Sequence, residues 1–335
     1  MSSDDTLLRC DGLAPLGLLI SAELQRRWSH GSSLLDNICA YALTSGGKLL
    51  RPILLLDSAL AVGGELPRVL PAAVGAECGH VASLIHDDII DADDLRRGRP
   101  SVPYKYGIGD AIIAGDALIF DLFASLVECG RAGVPDSRVI AALDAVARAG
   151  LDLCRGQSME AEMCKRLDFD VDSYMTVARL KTASFFRGAC ECGSILGGGH
   201  PELIGALSRY GENLGTAFQI HDDLLCYLSD TLTMGKRETS DVQNGRLTLP
   251  VILAYHSSAP RERKIIIDSL TSSSDPAQAL ATLGDLVTRT GAVAQAGQMA
   301  RRCAEASKSA LLKLPQGPSR DRLDCVATLV IERDR

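Results

Sequence analysis

The sequence contains few aromatic residues and no long apolar run: phenylalanine, tryptophan and tyrosine make up 4% of its 335 residues. No apolar stretch approaches the roughly 18 residues that a membrane-spanning helix needs, so we expect no stable insertion into a membrane. The eleven cysteines are scattered and form no CxxC pair, which argues against a zinc knuckle and against a disulfide framework. Strict alternation of apolar and polar residues is also scarce, so half-buried strands are not expected.

The chain also has no excess of positive charge. The net charge is −7, and a mildly acidic chain is poorly suited to nonspecific binding of nucleic acid. The first residues, MSSDDTLLRCDG, are acidic and polar, unlike a signal or transit peptide. We therefore expect a cytoplasmic protein with reduced cysteines, whose 46% of hydrophobic residues can form a large core.

What the sequence does contain is helical periodicity. Apolar residues recur at i, i+3 and i+4 throughout the chain, which is the spacing of one face of a helix. Clusters of glycine, proline and serine interrupt this pattern, and the segments between them have the lengths of ordinary helices. Because there is no internal repeat and no linker, we predict one all-α bundle over residues 1–335.

One acidic segment, LIHDDIIDADDLRRGRPS, begins at Leu84 and ends at Ser101. Its apolar start predicts a helix, which places Asp87 and Asp91 one turn apart on one face, with Asp88 rotated to the side. Like charges at this spacing weaken a helix. A bound Mg²⁺ would relieve the repulsion, since carboxylates and phosphate oxygens are its usual ligands. A solvated acidic face is the alternative.

Arginine follows in the same segment, at positions 96, 97 and 99. Guanidinium groups are suited to phosphate oxygens, so the segment combines acids for a metal with bases for a phosphate and indicates a diphosphate site. A second acidic pair, Asp222 and Asp223, lies in the apolar run FQIHDDLL. Carboxylates flanked by leucine and isoleucine are costly unless their charge is neutralised, and Mg²⁺ bridged by a diphosphate would neutralise it.

In their order and spacing, these and other motifs resemble those of the trans-prenyltransferases, the (E)-isoprenyl diphosphate synthases. The resemblance extends over nearly the whole chain, and the order of the motifs makes it specific. The segments that carry it are GGKLLRP, LIHDDIID with LRRGRPS, GDALIFDLF, RGQSMEAE, LKTASFF, FQIHDDLL, Gly235-Lys236, SDVQNGRLTLP and the terminal IERDR.

The resemblance implies a fold and a reaction. The fold is a helical bundle of the isoprenoid synthase type with a central substrate cavity, and the implied assembly is a homodimer. In the reaction, an allylic diphosphate (dimethylallyl, geranyl or farnesyl) ionises, and the double bond of isopentenyl diphosphate attacks the cation. A proton is then lost, with the departing pyrophosphate as the base. Three Mg²⁺ ions are implied, and we expect the apolar helices around the tail to exclude water.

The resemblance also assigns site residues. Metal binding is assigned to Asp87, Asp88, Asp91, Asp222 and Asp223. Substrate binding is assigned to Lys48, Arg51, His80, Arg96, Arg97, Lys181, Thr182, Gln219 and Lys236. Catalysis is assigned to Asp87, Asp91, Asp222, Lys181 and Arg96. Within these sets Lys48, Arg51, His80 and Arg97 are expected to bind isopentenyl diphosphate. The allylic diphosphate is expected to contact Arg96, Lys181 and Lys236. A buried structural role is the alternative for His80, and a surface salt bridge for Lys236.

The chain departs from the family pattern at Cys226, where the second motif commonly has a third aspartate. A thiol is a poor ligand for Mg²⁺, but Asp222 is the position expected to hold the third ion, so we expect activity to be retained. Asp230 is either an acceptor behind the metal ligands or a solvated acid. Gln157 and Glu160 share one helix face and would line the diphosphate region, where the family more often has aspartate in place of Glu160.

Three small residues, Gly79, Ala82 and Ser83, lie on the helix face below Asp87. In the family, a bulky aromatic at either of the latter two positions stops elongation early. Small residues there predict an open path for the tail, although they also permit close packing of a neighbouring helix. Each turn spans about 5.4 Å, close to one isoprene unit, so we expect a main product of at least about twenty carbons and favour about twenty-five to forty, with geranylgeranyl diphosphate as the alternative. The candidates for a deeper floor are Phe120 and Phe123, and simple core packing is the alternative for each.

Two other functions compete with chain elongation. A class I terpene cyclase shares the fold and one aspartate-rich motif but needs no isopentenyl site, so GGKLLRP, LRRGRPS and the second aspartate pair argue against it. A non-catalytic subunit of a heteromeric synthase usually lacks the aspartate motifs, whereas this chain has the first intact and most of the second. We therefore predict an active prenyltransferase.

Overall fold

A computed structural model describes residues 12–28, 31, 33–228, 241–272 and 275–332. Within these ranges almost all regular structure is helical, which confirms the all-α prediction. None of these helices is both long and apolar enough to cross a membrane. The α-helices are α1 (Leu13–Trp28), α2 (Leu34–Leu43), α3 (Leu50–Ala61), α4 (Leu66–Ile90), α5 (Val102–Tyr106), α6 (Ile108–Arg131), α7 (Asp136–Arg166), α8 (Val171–Val177), α9 (Ser184–Leu196), α10 (Pro201–Leu228), α11 (Leu249–Ser257), α12 (Pro260–Thr271), α13 (Pro276–Arg289), α14 (Ala292–Leu311) and α15 (Pro318–Glu332).

A short antiparallel hairpin interrupts the helices directly after the first acidic motif. Its strands are β1 (Leu95–Arg96) and β2 (Arg99–Pro100). Arg97 and Gly98 form the turn, with φ of 52° and 75°. Positive φ at both central residues suits the right-handed twist of a two-residue hairpin. The turn therefore presents Arg97 at its tip, between Arg96 and Arg99 on the two strands.

The chain forms two compact units. The first comprises the described residues of Met1–Arg148, Phe185–Gly211 and Lys308–Leu329. In this unit α4 packs against α3 and most extensively against α6. Proline is tolerated in the first turn of α4 because the N–H there has no helical partner. The helix buries apolar side chains along most of its length, so the acidic motif follows directly from a core helix.

A buried ion pair joins α3 to α15 in the first unit. Nε of Arg322 donates to both carboxylate oxygens of Asp57, at 3.0 and 3.1 Å, and Asp57 is fully buried. The hydroxyl of Tyr210 donates to the carbonyl of Leu323 at 2.7 Å and gives α15 a second attachment. Because a lone buried charge is costly, the pairing accounts for a buried aspartate among the apolar side chains of α3.

The second unit comprises Ala149–Ser184, Glu212–Ser307 and the described residues of Val330–Arg335. Its core is aliphatic and is formed mainly by side chains of α10, α11 and α13, among them Ile220, Leu224, Leu249, Ile252 and Leu283. One turn of π-helix, Ala178–Ala183, follows α8. Gly156 of α7 lies against the backbone at Lys181, where a Cβ atom would clash. Single π-turns are frequent at functional sites, and this one carries Lys181.

The cysteines follow the expectation of free thiols with one exception. Nine cysteines among the described residues are free, most of them fully or partly buried. Cys325, in α15, is disulfide-bonded, which the scattered spacing of cysteines did not predict.

Candidate active site

The first acidic motif occupies the last turn of α4. Helix α4 is 25 residues long and ends at Ile90, and the N–H of Asp91 donates to the carbonyl of Asp87 at 2.8 Å. Asp87 and Asp91 are half-buried, whereas Asp88 is buried. The carbonyl end of a helix carries partial negative charge, so carboxylates there are disfavoured unless a cation accompanies them. The fold thus concentrates negative charge where a cation is needed.

Asp88 receives such a cation from the hairpin. Nε of Arg96 donates to its Oδ1 at 2.7 Å, and a second guanidinium nitrogen contacts the same oxygen. Burial raises the pKa of the Asp88 carboxyl, and the guanidinium of Arg96 opposes that shift. Arg96 also lies 3.6 Å from Asp93. Two residues that the sequence assigned to metal and to substrate therefore contact each other.

Residues assigned to isopentenyl diphosphate also meet in the first unit. Nη1 of Arg51 lies 3.2 Å from Nε2 of His80, and its guanidinium stacks 4.5 Å above the ring of Phe186. Because a guanidinium only donates, Nε2 of His80 accepts, and the ring is neutral with its proton on Nδ1. Burial and the charges of Arg51, Arg97 and Arg96 hold the pKa of His80 well below its usual value.

The GGKLLRP loop also contacts the hairpin that follows α4. The guanidinium of Arg97 lies against Gly47, where a Cβ atom would be 2.6 Å from Nη1. Lys48, the next residue, is half-buried. Helix α3 begins two residues after Lys48, so the loop and the helix entry present the cations of this motif together with Arg97, as an anion site requires.

This region also contains a buried acid that was not predicted from the sequence. Glu77 of α4 is buried, and among the described residues no donor reaches its Oε2. Burial raises the pKa of its carboxyl, and the charges of Arg97 and Arg51 oppose that shift. The only sequence signal is an acid three residues before His80 in an apolar helix, which places it on the same face.

In the second unit, two separate sets of hydrogen bonds hold the side chains assigned to substrate binding. Nζ of Lys181 lies 2.5 Å from Oε2 of Glu160. The hydroxyl of Thr182 donates to Oε1 of Gln219 at 2.5 Å, and Nε2 of Gln219 donates to Oδ1 of Asp223 at 2.8 Å. Two neighbouring side chains of the π-turn therefore have different partners: Lys181 contacts Glu160, and Thr182 donates to Gln219.

The two aspartates of the second motif have different environments. Asp222 is exposed, whereas Asp223 is buried. The second oxygen of Asp223 accepts from the hydroxyl of Tyr174 at 2.7 Å and from the N–H of Leu249 at 3.1 Å. Burial raises the pKa of Asp223 to about 7, although these hydrogen bonds oppose the shift. Asp222 is therefore presented to solvent, while Asp223 binds α8 and α11.

Cys226, where the family commonly has aspartate, lies next to another acid. Its Sγ is 4.0 Å from Oδ2 of Asp241, and the other oxygen of Asp241 accepts from Arg246 at 3.0 Å. Sequence analysis did not single out Asp241 or Arg246. The predictions for Asp230 and Lys236 lie outside the described residues.

Residues 32–285 match the sequence profile of the polyprenyl synthetase family. The chain belongs to this family. Membership confirms the resemblance, and with it the prediction of a prenyltransferase.

Relatives with different product names share this chain's sequence and fold. The short chain isoprenyl diphosphate synthase of Methanothermobacter thermautotrophicus is 36% identical over 295 residues, covering 88% of this chain and 89% of the relative. The octaprenyl diphosphate synthase of Escherichia coli is 29% identical, covering 94% and 95%. A crystal structure of polyprenyl synthase from Caulobacter crescentus, complexed with calcium and isoprenyl diphosphate, has a TM-score of 0.88 at 28% identity, covering 100% and 98%. Family membership alone therefore does not specify product length.

Carboxylates such as those of the two acidic motifs have the chemistry of Mg²⁺ ligands. In the described part of the chain, no three histidine, cysteine or acidic side chains are grouped closely enough to hold a metal by themselves. Mg²⁺ is usually bound by one or two carboxylates, with waters and substrate phosphates completing its octahedron. Asp87 and Asp91 on one turn supply such a pair, and Asp222 supplies a separate carboxylate.

The residues assigned to product length fall into two groups. Gly79 and Ala82 are buried, and the hydroxyl of half-buried Ser83 donates to the carbonyl of His80 at 2.7 Å. Phe120 is 73% exposed, so its ring points away from the interior of this chain. The prediction that Phe120 could form a floor within the chain is therefore wrong, because its position on α6 faces outward. Half-buried Phe123 keeps the assignment as a prediction.

Proposed function

We propose that this polyprenyl synthetase condenses isopentenyl diphosphate head-to-tail with an allylic diphosphate (dimethylallyl, geranyl or farnesyl) and that its product is longer than farnesyl diphosphate. The observation that carries the proposal is the placement of Asp87 and Asp88 in the last turn of α4 and of Asp91 at its C-cap, directly before a hairpin that bears arginines. Negative charge at a helix carbonyl end, followed by cations, suits a metal–diphosphate complex.

The metal ligands in this proposal are Asp87, Asp91 and Asp222. Mg²⁺, which we take to be three ions, would neutralise charge on the leaving pyrophosphate. Asp88 and Asp223 instead hold neighbouring side chains in place. Asp88 binds Arg96, and Asp223 binds Gln219. A carboxylate engaged by a neighbouring donor has fewer lone pairs for a metal, so these two acids position the site.

The cationic residues fall into two groups, one for each substrate. Lys48, Arg51 and Arg97 bind the diphosphate of isopentenyl diphosphate, with His80 fixing the guanidinium of Arg51. Arg96 and Lys181, with Lys236, bind the allylic diphosphate and stabilise the negative charge that develops as its C–O bond breaks. The double bond of isopentenyl diphosphate then attacks the allylic carbon. A proton leaves to the departing pyrophosphate, so no side-chain base is required.

A homodimer is part of the proposal, and helix α6 supports it. One side of α6 exposes apolar residues, among them Ile108, Ile112, Ile113 and Phe120. A second copy of the chain would cover this face, as exposed apolar patches commonly indicate an interface. Sedimentation should give a dimer for the wild type, and Phe120→Asp should weaken the dimer because it places a charge in the covered face.

The deciding experiment is incubation with isopentenyl diphosphate, Mg²⁺ and each allylic primer in turn, followed by product sizing. Linear products longer than the primer are expected, and EDTA should abolish them. Cyclic hydrocarbon from an allylic diphosphate alone would indicate a terpene cyclase. No product without a second protein would indicate a subunit of a heteromeric synthase, and either result would overturn the proposal.

A further inference from the structure

The two strands of the hairpin are attached to different helices. In β1, Nε of Arg96 donates to Oδ1 of Asp88 at 2.7 Å, which attaches the first strand to α4. In β2, the carbonyl of Pro100 accepts from the hydroxyl of Tyr41 at 2.8 Å, which attaches the second strand to α2. Each strand therefore has an anchor of its own, and the tip of the hairpin lies between the two anchors.

The ring of Tyr41 contacts the chain on both sides of Pro100. Cζ of Arg99 lies 4.3 Å from the ring centroid, and Nζ of Lys105, in α5, lies 3.8 Å from it. The ring of Tyr106 meets that of Tyr41 edge to face, with centroids 5.5 Å apart. Because the face of an aromatic ring is negative and attracts cations, this single side chain of α2 binds both β2 and α5.

These contacts lie close to the GGKLLRP loop. Nη1 of Arg99 donates to the carbonyl of Thr44, the C-cap residue of α2, at 3.3 Å. At the hairpin tip, the guanidinium of Arg97 lies against Gly47. Thr44 and Gly47 are separated by only two residues, so the anchor of β2 and the position of Arg97 depend on the same short stretch of chain.

We propose that Tyr41 is a positioning residue for isopentenyl diphosphate. By holding β2 against α2 it places Arg97 beside Lys48 and Arg51, and it acts through Arg97 without contacting the substrate. A guanidinium that is already held in place loses less conformational entropy when an anion binds. Arg96 is anchored separately on α4, so the allylic set does not depend on Tyr41. This inference rests on the proposed function and deepens it.

The first test measures KM for each substrate in two variants of Tyr41. Tyr41→Leu removes both the ring and the hydroxyl. It should raise KM for isopentenyl diphosphate roughly tenfold and change KM for the primer and kcat by less than about twofold. Tyr41→Phe keeps the ring that Arg99 and Lys105 contact and should recover most of the loss. Tyr104→Leu, which removes an exposed tyrosine from α5, is the matched control and should change neither KM.

A double-mutant cycle tests whether Tyr41 acts through Arg97. In an Arg97→Ala background, Tyr41→Leu should raise KM for isopentenyl diphosphate by less than about twofold, because the side chain that it positions is gone. A full tenfold rise in that background would overturn the inference. An equal rise of both KM values in Tyr41→Leu, or the same rise in Tyr104→Leu, would overturn it too. If Tyr41→Leu fails to fold by circular dichroism, Tyr41→Phe and Arg99→Gln take its place, with smaller rises expected.

Failure of this inference can be distinguished from failure of the proposed function. An active wild type in which Arg97→Ala raises KM for isopentenyl diphosphate, but the Tyr41 and Arg99 variants do not, would overturn the inference alone. An inactive wild type, or an Arg97→Ala variant with an unchanged KM for isopentenyl diphosphate, would contradict the proposed function and with it the inference.

Discussion

Nζ of Lys181 lies 2.5 Å from Oε2 of Glu160, and the two side chains are only 15% and 23% exposed. The pair accounts for a cation in an otherwise uncharged run, since a shielded charge is costly without a partner. The π-turn of Ala178–Ala183 sets the direction of Lys181, and the carboxylate sets the position of its ammonium group. The π-turn and the carboxylate together fix the ammonium group of Lys181 before any substrate binds.

Glu160→Gln should weaken binding of the allylic primer. The substitution keeps the size of the side chain but removes its charge, so Lys181 loses the charged partner that holds it in place. We expect kcat/KM for the primer to fall by roughly tenfold, or about 1.4 kcal/mol, and KM for isopentenyl diphosphate to change little. Glu162→Gln on the same helix, whose partner Arg166 is exposed, is the control. Equal effects of the two substitutions would contradict the assignment.

Removing a proposed metal ligand should abolish most activity without unfolding the protein. Asp87→Ala and Asp222→Ala should each lower kcat by roughly two or more orders of magnitude, since charge on the leaving group is then less well neutralised. Thermal stability should hold or rise for Asp87→Ala, because the change removes like charge from the carbonyl end of α4. Asp285→Asn, at an exposed pair with Arg289, is the control. Near-normal turnover in either variant at saturating Mg²⁺ would refute the metal assignment.

The cations should separate into two groups in steady-state kinetics. Lys48→Ala, Arg51→Ala and Arg97→Ala should raise KM for isopentenyl diphosphate more than KM for the primer, because they remove donors to that diphosphate. Arg96→Ala and Lys181→Ala should show the opposite bias. The measurement is KM for each substrate at saturation of the other.

An exposed cation controls for general loss of charge. Arg155→Ala removes a guanidinium that pairs with Asp152 at the surface and should change neither KM by more than about twofold. If the five site variants weakened both substrates equally, the division into two binding sets would be wrong.

His80 should make the fold sensitive to acid. Its pKa is lowered in the folded protein, so below about pH 6.5 the unfolded chain binds a proton that the folded protein does not. Stability is therefore present above that pH and is lost as the pH falls, at up to about 1.4 kcal/mol per pH unit. His80→Gln keeps an acceptor for Arg51 but removes this linkage.

The measurement is urea unfolding at pH 7 and pH 5. The loss of stability between them should be smaller in His80→Gln than in the wild type by about 1–2 kcal/mol. Exposed His200→Gln should keep the wild-type difference. A His80→Gln variant with an unchanged pH difference would mean that His80 titrates alike in the folded and unfolded states.

Cys226→Asp should restore the family's third acid with little effect on maximal turnover. The new carboxylate would lie beside Asp241, which Cys226 already contacts at 4.0 Å, so activity at saturating Mg²⁺ should be unchanged or mildly raised. The Mg²⁺ concentration for half-maximal activity should fall, because hard oxygen ligands suit this ion better than a thiol. Cys226→Ser, which adds no charge, is the control. A large loss of activity in Cys226→Asp would reveal a role for the thiol itself.

The sequence alone determined the helical class and the candidate residues for the chemistry. Helical periodicity is local, since positions i, i+3 and i+4 share a face whatever surrounds them. Acids at Asp87 and Asp91, cations at Lys48 and Arg51, and their order along the chain likewise need no tertiary information. The family profile over residues 32–285 confirms the family that those motifs indicated.

Tertiary structure alone decided how neighbouring residues divide their roles. Asp222 is exposed and Asp223 buried, and Asp88 is buried whereas Asp87 is only half-buried, although each pair is adjacent in the sequence. Successive residues on a helix point about 100° apart, so the helices packed around them determine which carboxylate meets a donor and which remains accessible. The same cause turned Phe120 outward, a direction that apolar spacing along one helix does not specify.

Residues from distant segments were also beyond prediction from sequence. Tyr174 and Leu249 bind Asp223 from two other elements, and Tyr41 binds the hairpin from α2. None of these residues has a sequence signal that distinguishes it from ordinary core. Their roles follow from packing, because a side chain's partners are set by which helix faces come together, and these contacts join positions far apart in the chain.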